Sequence, residues 1–259
     1  MTYTLITGAS KGIGRALAIE YSAHNHNLVL TGRNQTELET LKASILTSNP
    51  TLQVETFSID LNDKQSYLDI KEFCESKNIV IDNLVNNAGF GSFGEFSKLD
   101  INKQLEMINV NITSLVSLTY IFMPDIIRTK GRIMLIGSTA AFQAIPFLAI
   151  YAATKAFVKS FSLAVNQEIQ GSGATLTVVN PGATNSNFFN ASGRLLNENS
   201  MKMTSCKDLA RFAHKATYNR KPIVTYGFIN NMRAQMGRLI SGNVAALIAK
   251  KIINYDPKR

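Results

Sequence analysis

Tyr151 and Lys155 stand four residues apart in the stretch YAATK, and Ser138 lies thirteen residues before the tyrosine. Four residues is about one helical turn, so a helix here projects the phenol and the ammonium from one face. A lysine charge beside a tyrosine favours the phenolate and lowers its pKa from about 10 toward neutrality. A phenol tuned in this way passes a proton to or from a carbonyl or alcohol oxygen near neutral pH. Tyr-x-x-x-Lys also arises by chance in many chains, so its meaning depends on what the rest of the sequence places beside it.

The N-terminal apolar run leads directly into TGASKGIG, residues 7–14. Gly8 allows a tight turn, and Gly12 and Gly14 let the backbone approach a ligand and pack a following helix on its strand. The helix N-terminus then offers free N–H groups and a partial positive charge to a pyrophosphate. The spacing is Gly-x-x-x-Gly-x-Gly rather than the commoner Gly-x-Gly-x-x-Gly. A second apolar run ends at Thr31-Gly32-Arg33, where an acidic residue would grip an adenosine ribose 2′-hydroxyl. Arg33 suits a 2′-phosphate instead, through its planar fork of donors, and Lys11 in the turn adds a second cation. Both point to NADP(H) over NAD(H); the plain alternative is that they are solvated surface charges.

The elements that must position these groups follow from periodicity. Tyr3–Thr7, Leu28–Thr31, Val54–Ile59, Leu84–Asn86, Arg132–Ile136, Leu176–Val179 and Ile223–Tyr226 read as strands. Helical segments Ile13–Ser22, Gln35–Leu46, Lys64–Ser76, Asn102–Ile127 and Ala152–Gln170 lie between them. This alternation predicts a parallel sheet with right-handed crossovers. Pro50, Pro124, Pro146, Pro181 and Pro222 fall where elements are expected to end. A single domain over 1–259 is the economical reading, with a substrate-loop region at 183–220 and a basic amphipathic extension at 228–255.

The 259 residues are 45% apolar, which suits a globular chain with a full core. Cys74 and Cys206 exclude a disulfide scaffold, and neither has a Cys or His at metal-ligand spacing. We therefore expect a reducing, cytoplasmic setting and no metal. The net charge of +9 sits in the tail: residues 1–201 hold 15 basic and 16 acidic side chains, whereas 202–259 hold 12 basic and two acidic, Asp208 and Asp256. No recognised nucleic-acid motif accompanies that basicity, so no nucleic-acid partner is expected.

Taken together, TGASKGIG, Asp60-Leu61, NNAG (86–89), Asn111, Ser138, YAATK and NPGATNS (180–186) resemble the short-chain dehydrogenase/reductase superfamily, in its branch of about 250 residues. The resemblance covers the chain to about residue 190. It implies an α/β, Rossmann-type doubly wound parallel sheet of about seven strands with helices on both faces, plus C-terminal helices. It implies catalytic roles for Asn111, Ser138, Tyr151 and Lys155. Tyr151 is the general acid or base, Ser138 bonds the substrate oxygen, Lys155 holds the nicotinamide ribose, and Asn111 steadies a water in a proton relay. Cofactor contacts are implied for Gly8, Ser10, Lys11, Gly12, Ile13, Gly14 and Arg33. They are implied also for Asp60, Leu61, Asn87, Ala88, Gly89, Pro181, Gly182, Thr184 and Ser186. Singly, Ser138 can be a strand cap and Asn111 a backbone-bonded polar residue.

Phe90, Phe93, Phe142, Phe147, Phe188 and Phe189 flank these motifs and suggest an apolar pocket for a hydrophobic ketone, aldehyde or alcohol. Core packing or subunit contact is the alternative for these rings. In the tail, Met232, Met236, Leu239, Ile240, Val244, Leu247, Ile248 and Ile252 recur near helical spacing among Arg233, Arg238, Lys250 and Lys251. A lid or subunit contact is favoured there over peripheral membrane contact. The resemblance implies a homo-dimer or homo-tetramer. The function expected is NADP(H)-dependent oxidoreduction. The alternatives are a non-catalytic NADP(H)-binding regulator and a nucleotide-sugar epimerase or dehydratase.

Overall fold

Short runs of Leu, Ile, Val and Thr bounded by glycine and polar residues form seven strands. The structure, a computed structural model, describes residues 1–186, 188, 192, 203–236 and 241–253. The strands are β1 (Thr2–Thr7), β2 (Asn27–Gly32), β3 (Val54–Ser58), β4 (Val80–Asn86), β5 (Arg132–Ile136), β6 (Thr175–Asn180) and β7 (Ile223–Thr225). They form one sheet in the order β3-β2-β1-β4-β5-β6-β7, and every neighbouring pair is parallel. The order reverses between β1 and β4, and the crevice outside their carboxyl ends is where such sheets take ligands.

The helices are α1 (Gly12–Ala23), α2 (Gln35–Ser48), α3 (Ser66–Ser76), α4 (Ile101–Ile108), α5 (Ser114–Arg128) and α6 (Ala149–Glu168). Three more follow: α7 (Cys206–Tyr218), α8 (Phe228–Met236) and α9 (Gly242–Ile253). Leu5, Leu84, Leu118, Phe122, Leu135 and Val158 fill the core on one face of the sheet. Ile6, Leu17, Leu28, Leu38, Val85 and Leu209 fill the other. Adjacent residues of one strand, Leu5 and Ile6 or Leu84 and Val85, thus serve opposite cores, as strand alternation requires.

Four expectations change. β4 begins at Val80 rather than Leu84, because the polar pair Asp82-Asn83 interrupts its apolar run. The single helix expected at 102–127 is α4 and α5 joined by a π-helical turn, Asn109–Thr113. Pro124 lies inside α5, which continues to Arg128, rather than at an element end. The segment 183–220 contains helix α7, capped by Ser205 Oγ, which accepts from Asp208 N at 3.1 Å. Of the tail residues singled out, Arg238, Leu239 and Ile240 lie outside the described residues.

By length and hydropathy, Ile101–Arg128 resembles a membrane-crossing helix. Here its Leu115, Leu118, Phe122 and Ile126 pack into the sheet's core, which accounts for the same apolar stripe. Phe122 has no exposed surface. Phe122→Ala should cost about 3–5 kcal/mol in unfolding free energy by urea denaturation, through lost transfer energy and the cavity left behind.

Candidate active site

The glycine turn is tied to the end of β4 by Thr7. Its hydroxyl accepts from Asn87 N and Ala88 N, both at 3.0 Å. Asn87 Nδ2 donates back to the carbonyls of Thr7 at 2.9 Å and Gly8 at 3.2 Å. Gly8 has φ +64°, which disfavours any residue with a Cβ there. A Cβ on Gly14 would fall 2.2 Å from the Gly8 carbonyl oxygen, so only glycine packs at that point. Lys11, which caps α1, makes no side-chain cap bond. The first N–H groups of α1 therefore face a cleft of about 380 Å³ lined by Ser10, Lys11, Gly12, Arg15, Glu37 and Ser186. Ile13 instead packs against the core under α1.

Arg33 is exposed where β2 leaves the sheet. Lys11 is not a free cation: its Nζ lies 2.7 Å from Glu37 Oε1. Glu37 Oε2 is buried without a hydrogen-bond partner. Nothing in the sequence announces a carboxylate in the cleft, because Glu37 reads there only as the first acid after Arg33. Asp60 is exposed, and its Oδ1 accepts from Asn62 N at 2.9 Å. Leu61 is buried.

Tyr151 and Lys155 share one face of α6, both buried at its N-terminal end. Asn111, in the π-helical turn, holds three elements together. Its Oδ1 accepts from Phe90 N at 3.1 Å, and its Nδ2 donates to Phe90 O at 3.0 Å and to Thr154 Oγ1 at 3.1 Å. Thr154 Oγ1 in turn donates to Tyr151 O at 2.8 Å. Asn109, two residues earlier, turns elsewhere and donates to Asn62 O at 2.6 Å. Asn111 Oδ1 faces Gly89, with Lys155 Nζ close by.

Ser138 follows β5; its Oγ accepts from Ala140 N at 3.1 Å, and its side chain acts to lower the Tyr151 pKa. Its backbone is fixed by a residue to which sequence motifs assign no role. Asn180, fully buried at the end of β6, accepts from Ser138 N at 3.2 Å and donates to Val224 O at 3.2 Å. Pro181 O accepts from Thr139 N at 2.9 Å, and Asn230 of α8 lies over Gly182. Thr184 is buried and forms a bridge with Thr204. Ser186 approaches Gly12, closing the loop over the glycine turn.

Electrostatically, one expectation reverses. Burial pushes the Tyr151 phenol up to about 12, with the Ser138 hydrogen bond opposing it. Lys155 Nζ donates to Ile136 O at 2.8 Å and stands 5.8 Å from the Tyr151 ring centre. Burial also pulls the Lys155 ammonium down to about 8. Burial is the leading cause of both shifts.

The aromatic residues divide. Phe90, Phe93 and Phe188 pack with Tyr151, Met107 and Leu148 in one cluster. Phe188 lies with its ring centroid 5.0 Å from that of Tyr151, and Phe147 lies 6.2 Å from Phe93. Phe142 sits under Lys159 Nζ at 4.7 Å, a cation–π contact. Phe189 lies outside the described residues.

The depressed Lys155 pKa has a definite sign in stability. An ammonium that titrates at about 8 in the fold and at its ordinary 10.5 in the unfolded chain destabilises the fold below pH 8, and the cost is relieved as pH rises toward 10.5. Lys155→Met should therefore gain its greatest stability advantage over wild type below about pH 8. That advantage should shrink by about 3 kcal/mol between about pH 8 and pH 10.5, read by denaturant unfolding of both proteins at each pH.

With this geometry in place, similarity to known proteins becomes specific. The family model described as short chain dehydrogenase matches residues 2–195. A very-long-chain 3-oxoacyl-CoA reductase from Pyrenophora tritici-repentis is 30% identical over 184 residues, 69% of this chain and 53% of that protein. A 17-beta-hydroxysteroid dehydrogenase type 3 from Mus musculus is 35% identical over 182 residues, 69% of this chain and 59% of that protein. The chain thus spans little more than half the length of these two relatives. A short-chain dehydrogenase from Sphingobium yanoikuyae, solved in complex with NADPH, superposes with a TM-score of 0.81 at 26% identity, covering 93% of this chain and 96% of that one. The matched glycine turn and the Tyr-Lys-Ser-Asn cluster fall inside one family model, and the chain belongs to the short chain dehydrogenase family.

Proposed function

We propose that this chain transfers a hydride between NADP(H) and a hydrophobic ketone or aldehyde, or the corresponding alcohol. The observation that carries this reading is the desolvated Tyr151, bonded to Ser138 and standing beside Lys155 at the open end of β5 and β6.

The residues present fit the cofactor. The open N–H groups of α1, the left-handed Gly8 and the cleft between Lys11 and Ser186 suit a pyrophosphate. Arg33, exposed at the edge of β2, suits a 2′-phosphate, and Lys11 would join it once released from Glu37. Asn87, Ala88, Gly89, Thr184 and Ser186 would line the remainder. When bound, the nicotinamide supplies or accepts the hydride.

The chain's own residues handle the proton. Ser138 Oγ donates to the substrate oxygen and orients it, with Asn180 holding the serine backbone in place. Tyr151 keeps its proton at neutral pH because its site is dry, and delivers it from the hydroxyl oxygen to the oxygen of a carbonyl being reduced. Lys155 is the nearest replenishing group, poised by burial near pH 8. Asn111 fixes the position of α6 against the Phe90 loop and so aims both side chains.

Phe90, Phe93 and Phe188 around Tyr151 support an apolar substrate, and the names of the acyl-CoA and steroid relatives agree with one. Placement of α8 beside Gly182 supports a lid role for the tail. Exposed Ile101 and Leu105 on α4, Tyr120 on α5 and Phe157 on α6 support assembly with further copies of the chain.

NADPH oxidation with a panel of apolar ketones and aldehydes tests the reading. Tyr151→Phe should lose about 10²–10⁴-fold in kcat; equal turnover in both proteins rejects catalysis by Tyr151 and leaves a non-catalytic cofactor binder. Arg33→Ser should lower kcat/KM for NADPH by about 10-fold or more, as expected for losing a charge-assisted bond, and leave NADH nearly unchanged.

A further inference from the structure

The chain has three histidines, His24, His26 and His214, and the fold gathers all of them where the end of α1 packs on α7. The His24 and His214 rings stack at 4.0 Å, and Tyr218 stacks on His214 at 4.3 Å. The Arg132 guanidinium lies 4.3 Å from the Tyr218 ring centre, ending the column. His26 is fully engaged, with Tyr218 Oη at 2.8 Å from Nε2 and Thr4 Oγ1 at 3.4 Å from Nδ1.

His214 differs. It is 6% exposed, and its Nε2 is buried with no hydrogen-bond partner. Stacking explains how the ring packs but not why a strong polar atom is left unmatched, which ordinarily costs about 1–3 kcal/mol. Next to it, Glu20 and His24 stand four residues apart on α1, with Glu20 Oε1 3.3 Å from His24 Nε2. One ligand atom from each of Glu20, His24 and His214 lies within 4.8 Å of the others.

We propose that Glu20, His24 and His214 form a binding site for a divalent transition-metal ion of the zinc type. Two imidazole nitrogens and one carboxylate oxygen, with a fourth position open to water, are the donor set such ions take. Bonds of about 2.0–2.2 Å place tetrahedral ligand atoms about 3.4 Å apart, so the trio closes slightly on binding. His24 supplies that movement: it caps α1, is exposed, and leaves the stack by rotating its side chain. Arg211, with Nε 3.9 Å from Glu20 Oε2, orients the carboxylate from outside.

The site lies away from the catalytic cluster yet bears on it mechanically. α1 begins at Gly12 in the glycine turn, and α7 begins at Cys206, whose Sγ lies 3.2 Å from Asn185 O on the cleft wall. An ion joining Glu20 and His24 to His214 would fasten the two helices about 12–18 Å from those ends, at 1.5 Å per residue.

The test uses the full chain after chelator treatment. Calorimetric titration with Zn²⁺ should show one ion per chain, and Co²⁺ should give the visible absorption of a tetrahedral site. His24→Ala should weaken Zn²⁺ binding more than about 10-fold and abolish the Co²⁺ band. His24 is exposed, so this variant should keep the wild-type fold and turnover. Zn²⁺ should raise the thermal midpoint of the wild type but not of His24→Ala. No stoichiometric uptake by the folded wild type, or equal uptake by His24→Ala, overturns the proposal.

Discussion

Much of the site's geometry hangs on the amide of Asn111. A carboxamide offers one acceptor and two donors. Here the acceptor takes Phe90 N, while the donors meet Phe90 O and Thr154 Oγ1. Those bonds bind the loop after β4 to the helix that carries Tyr151 and Lys155. They require the chain near Asn111 to leave the regular helical path, and the π-helical turn is the local result. The turn also sets the phase of everything after it. Leu115, Leu118, Phe122 and Ile126 meet the core only because one extra residue has been wound in. Deleting a single residue here would move both the amide and the core stripe out of place together.

The same burial that orders this site governs its chemistry. Removing water raises the phenol and lowers the ammonium, so the Tyr151 proton is held more tightly and the Lys155 proton less. On the proposed function, Tyr151 is thereby kept as an acid and Lys155 becomes able to give up a proton at mildly alkaline pH. The pull toward the phenolate comes from Ser138, whose own position is inherited from Asn180, which also bonds the backbone of β7. Three strands thus contribute to placing one hydroxyl.

Much of this is legible in the sequence because local patterns carry it. The apolar runs mark six of the seven strands within about two residues, and the glycine spacing marks the turn before α1. Asn111 and Asn109, two residues apart, take different partners. What stays hidden depends on contacts distant in sequence. Nothing near Glu37 indicates that it reaches back across the turn to Lys11. His24 and His214 are 190 positions apart, and no spacing rule joins them. The direction of the Tyr151 shift escapes a sequence argument because adjacency on a helix is visible there and desolvation is not. Phe142 is hidden for a similar reason: its contact is Lys159, on the following helix.

Phe188 has a consequence of its own. Its ring lies against Tyr151, and a side-chain carbon on Gly91 would meet its tip at 2.7 Å. On the proposed function, the ring stands where the apolar carbons of a substrate reaching Tyr151 would lie. On that reading the chain carries its own surrogate ligand, and admitting a substrate would exchange one hydrophobic group for another. Little apolar surface is newly covered in such an exchange, so affinity reports how much better than a phenylalanine ring the incoming molecule fits. Discrimination among substrates thus begins with competition against the chain itself.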